Sequence, residues 1–434
     1  MFLVKPEYFN KTIIIKGLIT AILLSAFIYL EYLNFNFKIL NTFLGLLGLY
    51  FLITIPKNSL IYAGFFTGIF WFYWIANSFF YYEVAYLIPF VILGFGFIIA
   101  FLFYFTDFVI RTFRPLYCLV SSYFSPIIFN LVINKKFLRI CAIFALSFIE
   151  PFNFNWFKLE LLFIDSYLQT SKIAFILILL AVFLLTEKLK YKFLAIIPLL
   201  FAFDYNPNLK IKEPNLKIYM SKINIKQDQK WLKQNQHLIV NKNINEIDKA
   251  IDLNYDLVIL PETTLPLLLN KDEFLMQYLK EKSQKIDIVI GAMSSDEKGF
   301  YNSSFFFSKE KVVIANKVVL VPFGEEIPLS SFLTDLINKW FYNGAQDYIK
   351  AVTPTDFNIN GYKFRSAICY EATTNKIFEN INDTKYMIAI SNNAWFTPSI
   401  EPILQKLLMK YYAKKYNVII YHVANGSENY IIKP

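Results

Sequence analysis

Histidine is almost missing: His237 and His422 are the only two in 434 residues. A metal centre or proton relay built on imidazole has little to draw on. Three cysteines, Cys118, Cys141 and Cys369, are too few for a disulfide framework. Thirteen glycines are spread thinly, and no glycine loop of the phosphate-cradling kind is formed. Neither a metal nor an organic cofactor is expected. A dense Lys/Arg cluster set in a folded, aromatic-poor module is also lacking, which argues against a nucleic-acid partner. What is abundant is apolar: 56% of the residues are hydrophobic and 47 are phenylalanine. A soluble globular protein could hardly hide that much apolar surface, so the chain reads as an integral membrane protein. The excess of 43 Lys+Arg over 33 Asp+Glu then fits anionic head groups and topology signals.

Apolar runs occupy about 12–30, 39–55, 59–80, 86–106, 115–134, 140–152, 173–186 and 193–203. The first four are long enough to span a bilayer, and the last three need tilt or local thinning. The first run lacks a small-residue cleavage site and reads as a retained helix. Lys5, Lys11 and Lys16 put the N-terminus in the cytoplasm, and Lys57, Arg111 and Arg114 keep the alternation through four helices. The run 115–134 is flanked by positive charge on both sides, by Arg111 and Arg114 and by Lys135, Lys136 and Arg139. It is expected to be re-entrant, interrupted at Pro126. About seven crossings result, with everything after about 205 outside the cytoplasm. The alternative is eight ordinary helices and a cytoplasmic C-terminal domain, which a cytoplasm-only reporter fused near residue 210 would reveal.

Near residue 213 the texture changes, giving a transmembrane helical domain over 1–212 and a second domain over 213–434. Strand-length runs fall near 216–224, 256–261, 287–293, 301–308, 312–320, 363–369, 385–391 and 417–424. Helices are expected near 228–253, 272–284 and 399–416, which makes an α/β layered domain. The Lys/Asn-rich stretch 226–245 reads mostly as a solvated helix face. Three strands end on reactive groups: Glu262 after Leu257–Pro261, Lys317 after Val312–Asn316, and Cys369 after Phe364–Ile368. A thiol, a carboxylate and an amine brought together supply a nucleophile, its proton acceptor and a cation for developing negative charge. A Cys–His pair stays open beside this reading, although His422 falls in an apolar strand-length run where a structural role is expected.

The order and contexts of these groups carry a resemblance. Pro261-Glu262, Asn316-Lys317 eight residues before Gly324-Glu325, and Cys369-Tyr370-Glu371 closely resemble the Glu-Lys-Cys signature of the nitrilase superfamily. Leu320 to Leu329 is similar to a segment of apolipoprotein N-acyltransferases, the branch with a multi-spanning membrane domain in front. Asn224 to Trp231, Tyr301-Asn302-Ser303 and Ser391 to Phe396 match further family segments in the same order. Glu150 and Asn155-Trp156 resemble a family loop less specifically. Asn393 stands where the family usually has Asp, and His422 lies near a missing Arg. The chain stops at Pro434 without the family's closing helix, so the C-terminus is expected to stay outside.

The resemblance implies an αββα sandwich behind the helical membrane domain. It implies Cys369 as nucleophile, Glu262 as general base and Lys317 as oxyanion stabiliser. Glu325 and Glu371 become supporting carboxylates, while Tyr370 and Trp231 shape the acyl and head-group pocket. The implied reaction moves an acyl chain from a membrane phospholipid, through a Cys369 thioester, to the α-amine of a diacylglyceryl-cysteine on a lipoprotein. The implied location is the bacterial inner membrane with the catalytic domain on its periplasmic side. A membrane-tethered amide hydrolase with the same triad is the nearest rival. The segment 330–355, with Trp340, Phe341 and Tyr342, is the candidate lid.

Overall fold

The computed structural model describes residues 10–82, 84–121, 134–205, 211–327 and 348–434. They fall into two compact units, one drawn from 1–149, 157–207 and 398–407, the other from 150–156, 208–397 and 408–434. Most of the expected lid, and residues 122–133 of the expected re-entrant run, lie outside the described residues.

The first unit is helical. It contains α1 (Lys11–Tyr32), α2 (Lys38–Thr54), α3 (Lys57–Phe72), α4 (Ile88–Ser121), α5 (Lys135–Leu146), α6 (Lys172–Leu185) and α7 (Ile196–Ala202). Among the described residues, three helical stretches are long and apolar enough to cross a membrane: Lys11–Tyr32, Lys57–Tyr82 and Ala85–Phe108. The helix α4 does not stop at the arginines that suggested its end; it runs through positions 111 and 114 to Ser121. Charge marks where a helix leaves lipid, not where its backbone hydrogen bonding ceases. By contrast, α5 rises only about 18 Å. In lipid, helices gain little from burying apolar surface and instead associate by close packing. Gly64 and Gly68, four apart on α3, show this: a Cβ at either would lie 2.5–2.6 Å from a backbone carbonyl of α4, at Phe95 or Ile99. At its C-terminal end α2 is capped by Arg139, whose guanidinium donates to the carbonyls of Ile53 (2.8 Å) and Ile55 (2.7 Å). Those are carbonyls that a helix end leaves without an intrahelical donor.

The second unit is built on two sheets. One has the strand order β1-β2-β4-β5-β6, with β3 (Leu265–Leu268) also paired to β4; the other runs β11-β10-β9-β8-β7. In the first sheet β1 (Ile218–Met220), β2 (Leu257–Ile259) and β4 (Asp287–Asp296) are parallel, and β5 (Gly299–Ser308) and β6 (Lys311–Asn316) continue antiparallel. The second sheet has a parallel centre of β8 (Tyr362–Ile368), β9 (Tyr386–Asn392) and β10 (Ile419–Asn425). Its edges, β7 (Asp356–Ile359) and β11 (Tyr430–Ile432), are antiparallel. Alternation along the strands sorts the side chains into layers. Leu257, Ile259, Val289 and Phe306 pack with Ile368, Ile388, Ile390 and Val423 between the sheets. Val258, Leu260, Ile288 and Ile290 face the other way, against α8 (Gln236–Asp252) and α9 (Glu273–Lys282) through Ile239, Ile247, Leu275 and Leu279. Met387, Ala389 and Ile420, on the opposite face of the second sheet, are fully buried as well, as are Leu408, Tyr412 and Ala413 of α10 (Glu401–Tyr416). The layering is that of an αββα sandwich.

Sequence and structure differ in detail here. The expected helix 228–253 is broken: a single turn at Gln227–Lys230 and a 3-10 turn precede α8. Its polar beginning is not all solvated, since Gln227 and Lys230 are buried.

Candidate active site

Parallel strands bring their C-terminal ends to one edge, where loops collect the polar side chains that the strands cannot hold. Glu262 follows β2, three residues past its last paired position. It can sit close against β4 because position 291 has no side chain. A Cβ on Gly291 would lie 2.5 Å from the Pro261 carbonyl oxygen, 2.6 Å from Thr263 N and 2.7 Å from Glu262 Cα. Thr263 takes φ +42°, a left-handed conformation unusual for a β-branched residue. Lys317 leaves β6 as its first residue beyond the ladder, with its N–H still donating to Asn302 O at 2.9 Å. Cys369 directly follows β8 and opens a 3-10 turn over Cys369–Thr373; its φ is +54°. A non-glycine residue held there is strained, and such strain gathers where the backbone must aim a reactive group.

These three positions converge with a fourth. The Lys317 ammonium is completely buried and lies 2.7 Å from Glu325 Oε2 and 3.9 Å from Glu262 Oε1. Asn302 ties the two carboxylates together, donating from Nδ2 to Glu262 Oε1 (2.7 Å) and Glu325 Oε1 (3.1 Å). Burial alone would pull the Lys317 proton off. Glu325, then Glu262, then Cys369 overrule it, and the net shift holds the ammonium above its ordinary range. Cys369 is thus within electrostatic reach of the same cation that contacts Glu262. The turn carrying Glu325 is fixed in return: its Oε2 accepts from Val321 N at 2.9 Å.

Glu371 acts on the backbone around the site. It is fully buried and does not contact the ammonium; instead it staples two loops. Oε1 accepts from Ile368 N (2.7 Å), just before the cysteine, and Oε2 from Val318 N (2.8 Å) and Val319 N (3.2 Å), just after the lysine. Burial pushes its carboxyl up to about 7, against the pull of Lys317 and the three N–H donors. Tyr370 is buried within an aromatic stack from residues 150–156. Its ring lies 6.2 Å from Phe154 and 6.1 Å from Trp156, and its hydroxyl donates to Asn153 O at 3.0 Å. Asn155 and Trp156 add hydrogen bonds to Thr373 O (2.6 Å) and Thr373 Oγ1 (2.8 Å). Trp231 is not brought in: it is 43% exposed, and among the described residues no hydrogen bond or ring contact ties it to this cluster. His422 is buried in β10, held by Ser391 Oγ at 2.9 Å, and burial lowers its pKa to about 3. It is a neutral structural residue.

Lys230 is the residue that sequence reasoning missed. It sits among Gln227, Asp228 and Gln229, a context indistinguishable from a solvated helix face, yet it is 1% exposed. Its Nζ donates to Thr263 Oγ1 at 2.8 Å and to Glu262 O at 3.3 Å.

Similarity to known proteins covers the same two regions. The apolipoprotein N-acyltransferase integral membrane domain matches residues 11–133 and 129–205, and the carbon-nitrogen hydrolase family matches 220–425. The apolipoprotein N-acyltransferase of Wolinella succinogenes is 39% identical over 424 residues, covering 96% of this chain and 95% of that protein. That of Campylobacter jejuni is 37% identical (97% and 90% covered) and that of Helicobacter pylori 35% identical (91% and 88% covered). A helical membrane region joined to a carbon-nitrogen hydrolase sandwich, matched almost end to end, means that the chain belongs to the apolipoprotein N-acyltransferase family.

Proposed function

We propose that this protein transfers a fatty acyl chain from a membrane phospholipid to the α-amine of an N-terminal diacylglyceryl-cysteine on lipoproteins. Glu262 takes the Cys369 proton as Sγ attacks the ester carbonyl. The Sγ–C bond forms, the tetrahedral oxyanion collapses, and the lysophospholipid leaves with the proton that Glu262 returns. In the second half the amine attacks the thioester, Glu262 receives the amine proton, and the Cys369 thiolate departs. Lys317 stands where negative charge develops in both halves. Glu325 holds Lys317 charged and aimed, Glu371 fixes the loops on either side, and Tyr370 with Phe154 and Trp156 forms an apolar wall suited to an acyl chain. Trp231 is exposed enough to meet a lipid head group.

One observation carries this reading: an ammonium buried between two carboxylates, within electrostatic reach of a cysteine at a left-handed strand end. A structural ion pair would need neither the thiol nor the strain. Both substrates are anchored in lipid, which accounts for a helical region of some two hundred residues in front of the sandwich. We place the protein in the bacterial inner membrane with the sandwich on the periplasmic side and the boundary near residue 212.

The test is to incubate the purified full-length protein with phospholipid vesicles and then a diacylated lipopeptide, following both by mass spectrometry. A fatty-acyl adduct on the Cys369 peptide, discharged to N-acylated lipopeptide, is expected. Free fatty acid or ammonia without N-acyl product would indicate a hydrolase instead.

A further inference from the structure

We propose that Lys230 is a positioning residue for the Glu262 carboxylate, its ammonium tying the left-handed Glu262–Thr263 turn to the short Gln227–Lys230 turn. The inference rests on the reading of Glu262 as the general base.

The Lys230 ammonium donates twice to the turn, to Thr263 Oγ1 at 2.8 Å and to Glu262 O at 3.3 Å. Gln227, at the start of the same short turn as Lys230, accepts from Asn392 Nδ2 at 2.9 Å, and Asn392 in turn accepts from Asn425 Nδ2 at 2.8 Å. The Gln227–Lys230 turn therefore holds β2's outgoing loop on one side and the end of β9 on the other. The Glu262–Thr263 turn needs such a hold. Thr263 is β-branched at φ +42°, a conformation that persists only where surrounding contacts over-determine it. On its other side the turn rests against Gly291, whose lack of a side chain leaves it room. Burial draws the Lys230 pKa down to about 8, opposed by Glu262, the charged group that acts on it. At neutral pH it remains a three-proton donor. Lys230 makes no contact with Cys369 or Lys317 among the hydrogen bonds of the described residues, so it acts through Glu262 rather than on the reacting atoms.

The test reads thiolate formation directly. The full-length enzyme in detergent micelles free of phospholipid is treated with iodoacetamide from roughly pH 5 to 10, and alkylation of the Cys369 peptide is timed by mass spectrometry. Lys230→Met should slow alkylation near neutrality by about tenfold or more and move the profile to higher pH. Thr263→Ala should shift it the same way by less, and the double variant should be no worse than Lys230→Met. In acyl-transfer assays kcat should fall while KM stays within about twofold. A wild-type profile in Lys230→Met overturns the proposal. Should that variant fail to fold, wild-type profiles in both Lys230→Gln and Thr263→Ala overturn it equally. Glu262→Gln is the control that separates the two readings. An unchanged profile there sinks Glu262 as the base, whereas a shifted one beside unchanged Lys230 variants sinks only the positioning role.

Discussion

A lysine with no exposed atom is expensive to bury, and Lys317 is tolerated because two carboxylates and a thiol surround it. Removing it should therefore damage two things at once. Lys317→Met leaves Glu262 and Glu325 facing each other with Asn302 between them. Acyl transfer should fall by at least about 10²-fold, and the melting temperature should drop as well. Cys369→Ser has no such charge to strand. It should leave insertion and melting close to wild type while acyl transfer and the acyl adduct both disappear, as intact-mass measurement would show. Glu371 gives a pH signature. Its folded pKa, about 7, lies above the ordinary 4.5, so the folded protein holds the proton more tightly than the unfolded chain. Stability from this group is complete below about 4.5 and is lost as pH rises towards 7, a change on the order of 3 kcal/mol. The wild-type melting temperature minus that of Glu371→Gln should decline over that window; a flat difference would refute the linkage. Glu262, Lys317 and Cys369 were legible in sequence because each follows an apolar strand. Lys230 was not, since only tertiary structure distinguishes a buried lysine from a solvated one in a polar stretch.

Elements were legible where an apolar run marked them. The long central strands and the helices α9 and α10 lie close to where periodicity placed them, while β3 (Leu265–Leu268), β7 and β11 escaped notice. At three or four residues, a strand is defined by the neighbour it pairs with more than by its own pattern. Position-specific packing was equally hidden. Glycines 64, 68 and 291 look alike in sequence, but the first two admit a helix and the third admits the Glu262–Thr263 turn. Gly291→Ala should push the Glu262 turn away from β4 and lower kcat by about tenfold or more, with overpacking costing about 1–3 kcal/mol in melting. Gly68→Leu belongs to the other unit. It should reduce the yield of inserted protein while sparing the alkylation profile of whatever enzyme does fold.

At the scale of the whole molecule, the composition announced a membrane protein and the change in texture near residue 213 announced a second domain. What it could not announce is that the sandwich recruits residues 150–156 from the middle of the helical sequence. Short linking peptides carry no period, and their partners lie more than two hundred positions away. The proposed outer side for the sandwich rests on charge alone, and a phosphatase fused near residue 210 should then be active. The aromatic stack has a practical corollary for anyone dissecting the protein. A fragment beginning at residue 213 would discard Phe154 and Trp156, strip Tyr370 of its two ring neighbours and leave the Thr373 carbonyl without Asn155. Such an excised half should be poorly behaved even in detergent, and supplying the missing heptapeptide on a linker should improve it.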